Sequence, residues 1–429
     1  MEYNVKELVR AKIDREDILG KFAEPEDMDL VVQEDCDLYN LNTMDPNEKN
    51  ENNIIFKFRK GVFSQKEQEL AYEGLREAAT ESQNRGMAAG PRGNTLGDAN
   101  RGHRDWVTPY ELEVLEYFSS SHVFDIFPVK TDSTEETRGQ VWLRSKVIGE
   151  KYGEYDGWFD RWVERIRNES PAVKKQEAAE VYKMISETNY AQTVLSGIAG
   201  YFDRYPRIPY GRACTYNERN PEKFAKCFPY LRKLNKIFKK ELPERWANQR
   251  EAANKLDPRF LIDETVFTTL TINYNWRTAG HRDAGDFSSG FSNISGIGKG
   301  WKGYVFTLPE WKIGINLQPG DLLLVNNHEG IHTNTAGIGE DNDRVSIVAY
   351  FREKMMELKS WEYENLRRQF VEDRRKDKDH PFQRPLWNGV SPGMWASEEW
   401  GDYLAAHNME DEDGVIAKQG ATLESFFGD

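Results

Sequence analysis

The stretch "TVFTTLTINYNWRTAGHRDAGDF" occupies Thr265–Phe287. Its first half alternates. Val266, Leu270, Ile272 and Tyr274 fall on one side of an extended chain, which predicts a strand with one buried face. The strand runs on into His281-Arg282-Asp283. Residues i and i+2 of an extended backbone project from the same face, so His281 and Asp283 point the same way. Downstream come "GYVFTLPEW", "KIGINLQPGD", "LLLVNN" and "RVSIVAYFR", short apolar runs separated by Gly, Pro, Asn and Asp. This punctuation predicts a barrel or sandwich rather than a parallel α/β sheet.

Outward from this core the chain changes character. Residues 1–52 are acidic and Asn/Asp-rich and read as a short helix followed by a flexible lead-in. "NIIFKFRKGVF" is a strand candidate, and Ser64 is placed to cap the helix that follows it. "NRGMAAGPRGNTLGDANRGHRDW" reads as a Gly-rich loop. Residues 157–203 and 221–256 are helical in pattern. Residues 53–353 are expected to form one domain with a helical insert, and residues 354–429 a helical tail. The 429-residue chain carries a net charge of −14 and three cysteines. That balance argues against coating nucleic acid by bulk electrostatics. The sparse cysteines predict a reducing compartment, cytoplasmic or nuclear. The start has no apolar secretory segment, and no apolar run is long enough to span a membrane. Lys223–Lys240 is locally basic and fits either a solvated helix face or a phosphate-tracking edge.

Three stretches offer metal-type ligands. "HEGIH" (His328–His332) matches the zinc-protease pattern by letters. That chemistry needs a helix to bring both histidines to one ion, and a strand runs in while a Gly-rich loop runs out. The "GHRD" at Gly102–Asp105, with His103, Asp105 and the nearby His122, reads as loop packing. The second "GHRD", at Gly280–Asp283, differs because ordered partners follow it. A distal histidine comes next, His332 favoured over His328, and then Arg344 and Ser346 at i and i+2 of a strand. His-x-Asp followed by a distal His is the sequence form of a two-His-one-carboxylate triad, which leaves coordination sites open on Fe(II). Arg344 supplies a cationic fork for the far carboxylate of 2-oxoglutarate.

With these residues in view, "NYNWRTAGHRDAGDF", "GYVFTLPEWKIGINLQPGDLLLVNNHEGIHTNT" and "DRVSIVAYF" resemble the TET/JBP family of Fe(II)- and 2-oxoglutarate-dependent dioxygenases, over roughly residues 54–353. The resemblance implies an α+β protein with a double-stranded β-helix (jelly-roll, cupin-like) core and surrounding helices. It implies His281, Asp283 and His332 as iron ligands, and Arg344 and Ser346 as holders of 2-oxoglutarate, with Arg212 a further candidate. Asp286, with Asn275, would contact a flipped pyrimidine of DNA. O2 would be the oxidant, with ascorbate as an auxiliary reductant. An ionised Asp286 only accepts hydrogen bonds, which suits thymine slightly better than 5-methylcytosine. The competing expectations are the same iron chemistry on a free nucleotide, amino acid or other small molecule, a binding module without activity, and the zinc protease.

Overall fold

The computed structural model describes residues 2–4, 18–41, 49–82, 85–90, 170, 194–204, 208–381, 389–391 and 393–412. The chain divides into two compact units. The first comprises Met1–Arg101, Thr188–Phe202 and Ala213–Met356; the second comprises Gly102–Glu187, Asp203–Arg212 and Glu357–Asp429.

The first unit is built on two sheets. The large one has the order β1 (Glu2–Asn4), β3 (Cys36–Tyr39), β4 (Ile54–Arg59), β12 (Leu322–Val325), β9 (Ser292–Gly300), β14 (Asp343–Tyr350), β8 (Thr269–Tyr274), β6 (Val194–Arg204) and β5 (Thr80–Ser82). The small one runs β13 (Thr333–Asn334), β10 (Phe306–Leu308), β11 (Ile313–Ile315) and β2 (Leu30–Val32). Pairing is antiparallel except for β1 with β3 and β11 with β2.

Period-two alternation decides what each face of the large sheet meets. Leu322 and Leu324 of β12, and Val345 and Ile347 of β14, are buried with Leu231, Leu234 and Phe238 of a covering helix. Leu323 and Val325, offset by one, are buried with Phe306, Ile313 and Ile315 of the small sheet. A large sheet backed by helices on one face and by a small sheet on the other is the jelly-roll core expected from the sequence. Each such apolar side chain, fully buried, stabilises the fold by about 1.5–3 kcal/mol relative to exposure.

The backing helices are α1 (Gln65–Leu75), α2 (Thr215–Arg219), α3 (Pro221–Ala225), α4 (Phe228–Glu241) and α5 (Pro243–Asn254). Ser64 caps α1 through a reciprocal capping box with Glu67, its hydroxyl accepting from the Glu67 amide and its own amide donating to the Glu67 carboxylate at 2.8 Å. The helices expected over residues 221–256 therefore form. Three lysines of the basic stretch within them are paired: Lys226 with Glu73 at 2.7 Å, Lys233 with Glu67 at 2.7 Å, and Lys223 with Glu77. Lys239 lies over the Trp246 ring, 4.4 Å from its centroid. This fits the solvated helix face, charge-matched in part by α1, while Lys236 and Lys240 stay exposed.

Two expectations need correction. The lead-in reading of residues 1–52 fails for its described part, because β2 and β3 are integral strands of the two sheets. Cys36 and Leu38 are buried against Phe56 and Phe58, so this segment belongs to the first unit. Strands of three or four residues amid Asp and Glu show too few alternations to read. The helical pattern expected over 157–203 ends in a strand where it is described, β6. Its Gly197 lies so close to the Ala78 carbonyl that a Cβ would sit 1.8 Å from that oxygen. Only glycine lets the two backbones approach this far.

In the second unit, α6 (Trp361–Lys376) and α7 (Glu398–Ala406) begin at capping serines, Ser360 and Ser397. Tyr363, Leu366 and Phe370 bury against Trp400 and Leu404. The strand β7 (Ile208–Ala213) donates its Gly211 amide to Glu364 at 2.7 Å. Among the described residues no helix is long and apolar enough to cross a membrane.

Candidate active site

The site is a cavity of about 330 Å³ in the first unit. Its lining follows from the strand pattern. In β14, Val345, Ile347 and Ala349 face the apolar core, so Arg344, Ser346, Val348 and Tyr350 face the cavity. In β8 the same rule sends Leu270 and Ile272 to the core and Thr271 and Asn273 to the cavity.

Beyond β8 the chain must turn. Asn275 takes a left-handed conformation, φ 43°, which Asn tolerates better than most residues. Its side chain is fully used there. Its amide donates to the Asn342 carbonyl at 2.6 Å, and its oxygen accepts from the Arg344 amide at 2.9 Å. Asn275, expected to touch substrate, is thus not among the cavity residues; it fastens the ends of β8 and β14 together. The chain then reaches Gly280, which pairs closely with the backbone of Ile18–Lys21. Its amide donates to Lys21 at 2.7 Å, its carbonyl accepts from Gly20 at 2.8 Å, and a Cβ would lie 2.2 Å from the Ile18 carbonyl oxygen.

His281 and His332 pair as one antiparallel bridge, each amide donating to the other's carbonyl at 3.1 and 3.0 Å. Their ring centroids lie 4.3 Å apart. Asp283 stands beside both, its carboxylate 3.6 Å from His281 Nε2 and 3.4 Å from His332 Nε2. Among the described residues these three form the one group able to hold a metal, with ligand atoms all within 4.8 Å of one another. Ligand atoms about 2.1 Å from a shared ion and at right angles would lie about 3 Å apart; the carboxylate–imidazole separations of 3.4 and 3.6 Å are a few tenths of an ångström wider. The imidazole tautomers are set by carbonyls, which can only accept. His281 Nδ1 donates to Ala279 O at 2.7 Å and His332 Nδ1 to Gly330 O at 3.2 Å. Both Nε2 lone pairs are therefore turned to the metal position. Asn327, which the sequence reading passed over, orients the carboxylate by donating to it at 3.2 Å while its carbonyl accepts from the Asp283 amide at 3.0 Å.

Electrostatics agree with ligation. Burial, then the neighbouring His332, pushes His281 down to about 4, so its imidazole is neutral at physiological pH. Burial works to raise Asp283, but His332, His281 and Asn327 outweigh it and hold the carboxyl below the usual range. Part of that side chain, 32% of its surface, remains open to the cavity. Asp286 goes the other way. Burial first, and then the charge of Asp283, raises it well above an ordinary carboxyl, against the Ser292 hydroxyl that donates to it at 2.5 Å. His328 is not in the metal group; its Nδ1 donates to the Asp286 carbonyl at 2.8 Å. "HEGIH" spans a turn and a single bridge residue, without the helix a zinc protease requires.

At the other end of β14, Arg344 is buried, with its charge facing the rings of Trp301 and Tyr304 at 5.8 and 5.1 Å. Burial lowers it to about 10, still a cation at neutral pH. Its Nε has no hydrogen-bond partner, nor does Nε of Arg85, which also lines the cavity. Arg85 lies in the Gly-rich segment the sequence left as loop. Arg212 is not among the cavity residues; it lies in β7, in the second unit. His281, Asp283, His332, Asp286, Arg344 and Ser346 all line the one cavity. The stretch with His103, Asp105 and His122 lies outside the described residues.

Residues 197–353 match the Tet_JBP model, described as the oxygenase domain of the 2OGFeDO superfamily. Over this stretch the chain is similar to the TET/JBP family. Among TET/JBP relatives, it is 34% identical over 206 residues to thymine dioxygenase JBP1 of Leishmania braziliensis, covering 46% of this chain and 24% of that protein. The JBP1 of Leishmania tarentolae is 35% identical over 174 residues, 39% of this chain and 20% of that one. The match therefore spans about a quarter or less of these relatives' length. A solved structure, NgTET1 in complex with 5mC DNA, aligns with a TM-score of 0.32 and 12% identity, over 41% of this chain and 68% of that one.

Proposed function

We propose that this chain is an Fe(II)- and 2-oxoglutarate-dependent dioxygenase that hydroxylates the 5-methyl group of a pyrimidine base, thymine first, in DNA. The observation that carries the reading is one cavity holding both a metal-type triad and, at its far end, a buried cation with an unpartnered Nε. Two neutral imidazoles and one carboxylate on one face fit Fe(II) with sites left open. A buried unpartnered guanidinium donor fits a ligand carboxylate, since leaving it unmade costs about 1–3 kcal/mol. His281, Asp283 and His332 would hold the iron, and Arg344 with Ser346 the far carboxylate of 2-oxoglutarate. When bound, Fe(II) with 2-oxoglutarate and O2 supplies the oxidising power for an unactivated methyl C–H bond, and ascorbate would keep the iron reduced.

The chain's own residues do the rest. Asn327 fixes the plane of the Asp283 carboxylate. Tyr350, Asp286 and Arg352 line the cavity at the other end of β14 from Arg344, where a base would enter. A methyl group inside a duplex is out of reach of such a cavity, so the base must be flipped. Exposed Arg282, beside the ligands, offers a cation to the backbone of an extruded nucleotide despite the net charge of −14. Burial raises the Asp286 carboxyl well above its ordinary range; in its neutral form it would donate as well as accept, and so would pair with thymine (N3–H and O4) or with cytosine (N4–H and N3). The argument for thymine from an ionised Asp286 therefore falls away, and the thymine choice rests on the dioxygenase relatives.

The test is nucleoside mass spectrometry after incubation with Fe(II), ascorbate, 2-oxoglutarate and duplex or single-stranded DNA, with and without 5-methylcytosine. 5-Hydroxymethyluracil, absent with His281→Ala, supports the proposal. Hydroxymethylcytosine alone would change the base. Succinate formed with free nucleotides or amino acids and never with DNA would replace the macromolecular substrate by a small one.

A further inference from the structure

After Arg344 and Arg85, Trp276 is a third cavity-lining residue with a buried, unpartnered donor. The side chain is buried, 7% exposed, and packs on Ala88 and Ala89, which fix its ring. Its indole N–H, shielded from water, meets no acceptor in the protein although the residue lines the cavity. A buried indole N–H ordinarily finds a partner. No protein group supplies the acceptor, which leaves it to be supplied from the cavity.

The position along the cavity says which part of the ligand. Trp276 directly follows Asn275, whose backbone and side chain clasp Arg344. It thus stands at the Arg344 end of β14. Tyr350 and Asp286 stand at the other end, about 20 Å away at roughly 3.3 Å per strand residue. Arg344 and Trp276, one cationic and one neutral, thus each bring a buried unpartnered donor to residues lining this end of the cavity, and Ser346, two residues on from Arg344 on the same strand face, adds a hydroxyl.

We infer that Trp276 is a positioning residue for the co-substrate, its indole N–H donating to the same distal carboxylate that Arg344 holds. The inference rests on the 2-oxoglutarate reading above. It adds a neutral donor to the fork, so one carboxylate oxygen is fixed by the guanidinium and the other by the indole. Trp276→Phe keeps the ring and deletes the donor.

The experiment is calorimetric titration of Mn(II)-loaded full-length protein with 2-oxoglutarate and, separately, with oxalate, which chelates a metal but has no distal carboxylate. Trp276→Phe is expected to weaken 2-oxoglutarate by roughly 10-fold or more, the range of a hydrogen bond to a charged group. Oxalate affinity should stay unchanged. The metal-free variant should melt no lower than the wild type, because the deleted N–H makes no bond within the protein. A Trp276→Phe protein that binds 2-oxoglutarate normally, while Arg344→Ala does not, overturns the inference and leaves the functional reading standing. Equal losses for both ligands place the indole at the metal side and overturn it too. Failure of the wild type to bind 2-oxoglutarate at all removes the reading beneath it.

Discussion

Arg344 is a cation that the fold has taken out of water and left with an unpartnered Nε. Its removal should therefore show in ligand binding more than in folding. Arg344→Ala is expected to weaken 2-oxoglutarate roughly 10- to 100-fold, from the loss of charged hydrogen bonds worth about 1.5–3 kcal/mol. Lysine should restore little, since a point charge lacks the planar fork. Equilibrium titration checks both variants. Asp286 permits a sharper test. If the neutral acid is the working form, Asp286→Asn keeps a donor and an acceptor and should retain most of the rate on DNA. Asp286→Ala should lose at least about 10-fold by the same hydrogen-bond arithmetic. Equal losses in steady-state assays would show that the ionised carboxylate is needed. At this scale the sequence was informative where a rule of spacing applied. Arg344 and Ser346 are an i and i+2 pair on β14; His281 and Asp283 keep that spacing beyond the end of β8, with His281 in an isolated bridge to His332, and all four line the cavity. Arg85 and Trp276 obey no such rule, because loops bring them in and loops have no period. Asn275 misled for a related reason. A polar residue at a strand end looks available for substrate until its own backbone bonds are counted.

The joint between β8 and β14 depends on that same asparagine. Asn275→Ala loses two side-chain bonds to backbone and places a Cβ-bearing residue without Asn's local hydrogen bonds at φ 43°. A destabilisation of about 2–3 kcal/mol is expected in urea melts. Asn275→Gly, which relieves the backbone, should cost less than Asn275→Ala, and the reverse order would show that the backbone conformation is not what asparagine supplies. The strands themselves were legible in proportion to their length and contrast. β8 and β14 alternate over six and eight residues. β2 and β3 have three and four, set among acidic residues, and are held as much by backbone pairing as by side chains. The helices over 221–256 read clearly because an amphipathic repeat of 3.6 persists through several turns.

On the scale of the whole molecule, the charge distribution matters more than the total. Lys226 and Lys233 of the basic stretch are matched by α1, while arginines are gathered in the cavity. Composition shows neither arrangement, because both arise from packing between segments far apart in sequence. The metal site should tie the first unit together as well. Ligands from two distant segments are preformed, so adding Mn(II) at about 100 times its Kd should raise unfolding free energy by about 2.7 kcal/mol. The gain should vanish with His281→Ala; a melting temperature indifferent to metal in the wild type would mean the three side chains bind none. The reciprocal amide bonds of His281 and His332 carry one more implication. Neither can break alone without a separation of the two segments that frees the other. In deuterated solvent these two backbone protons, distant in sequence, should therefore be lost at one common pace, two clocks keeping the same time.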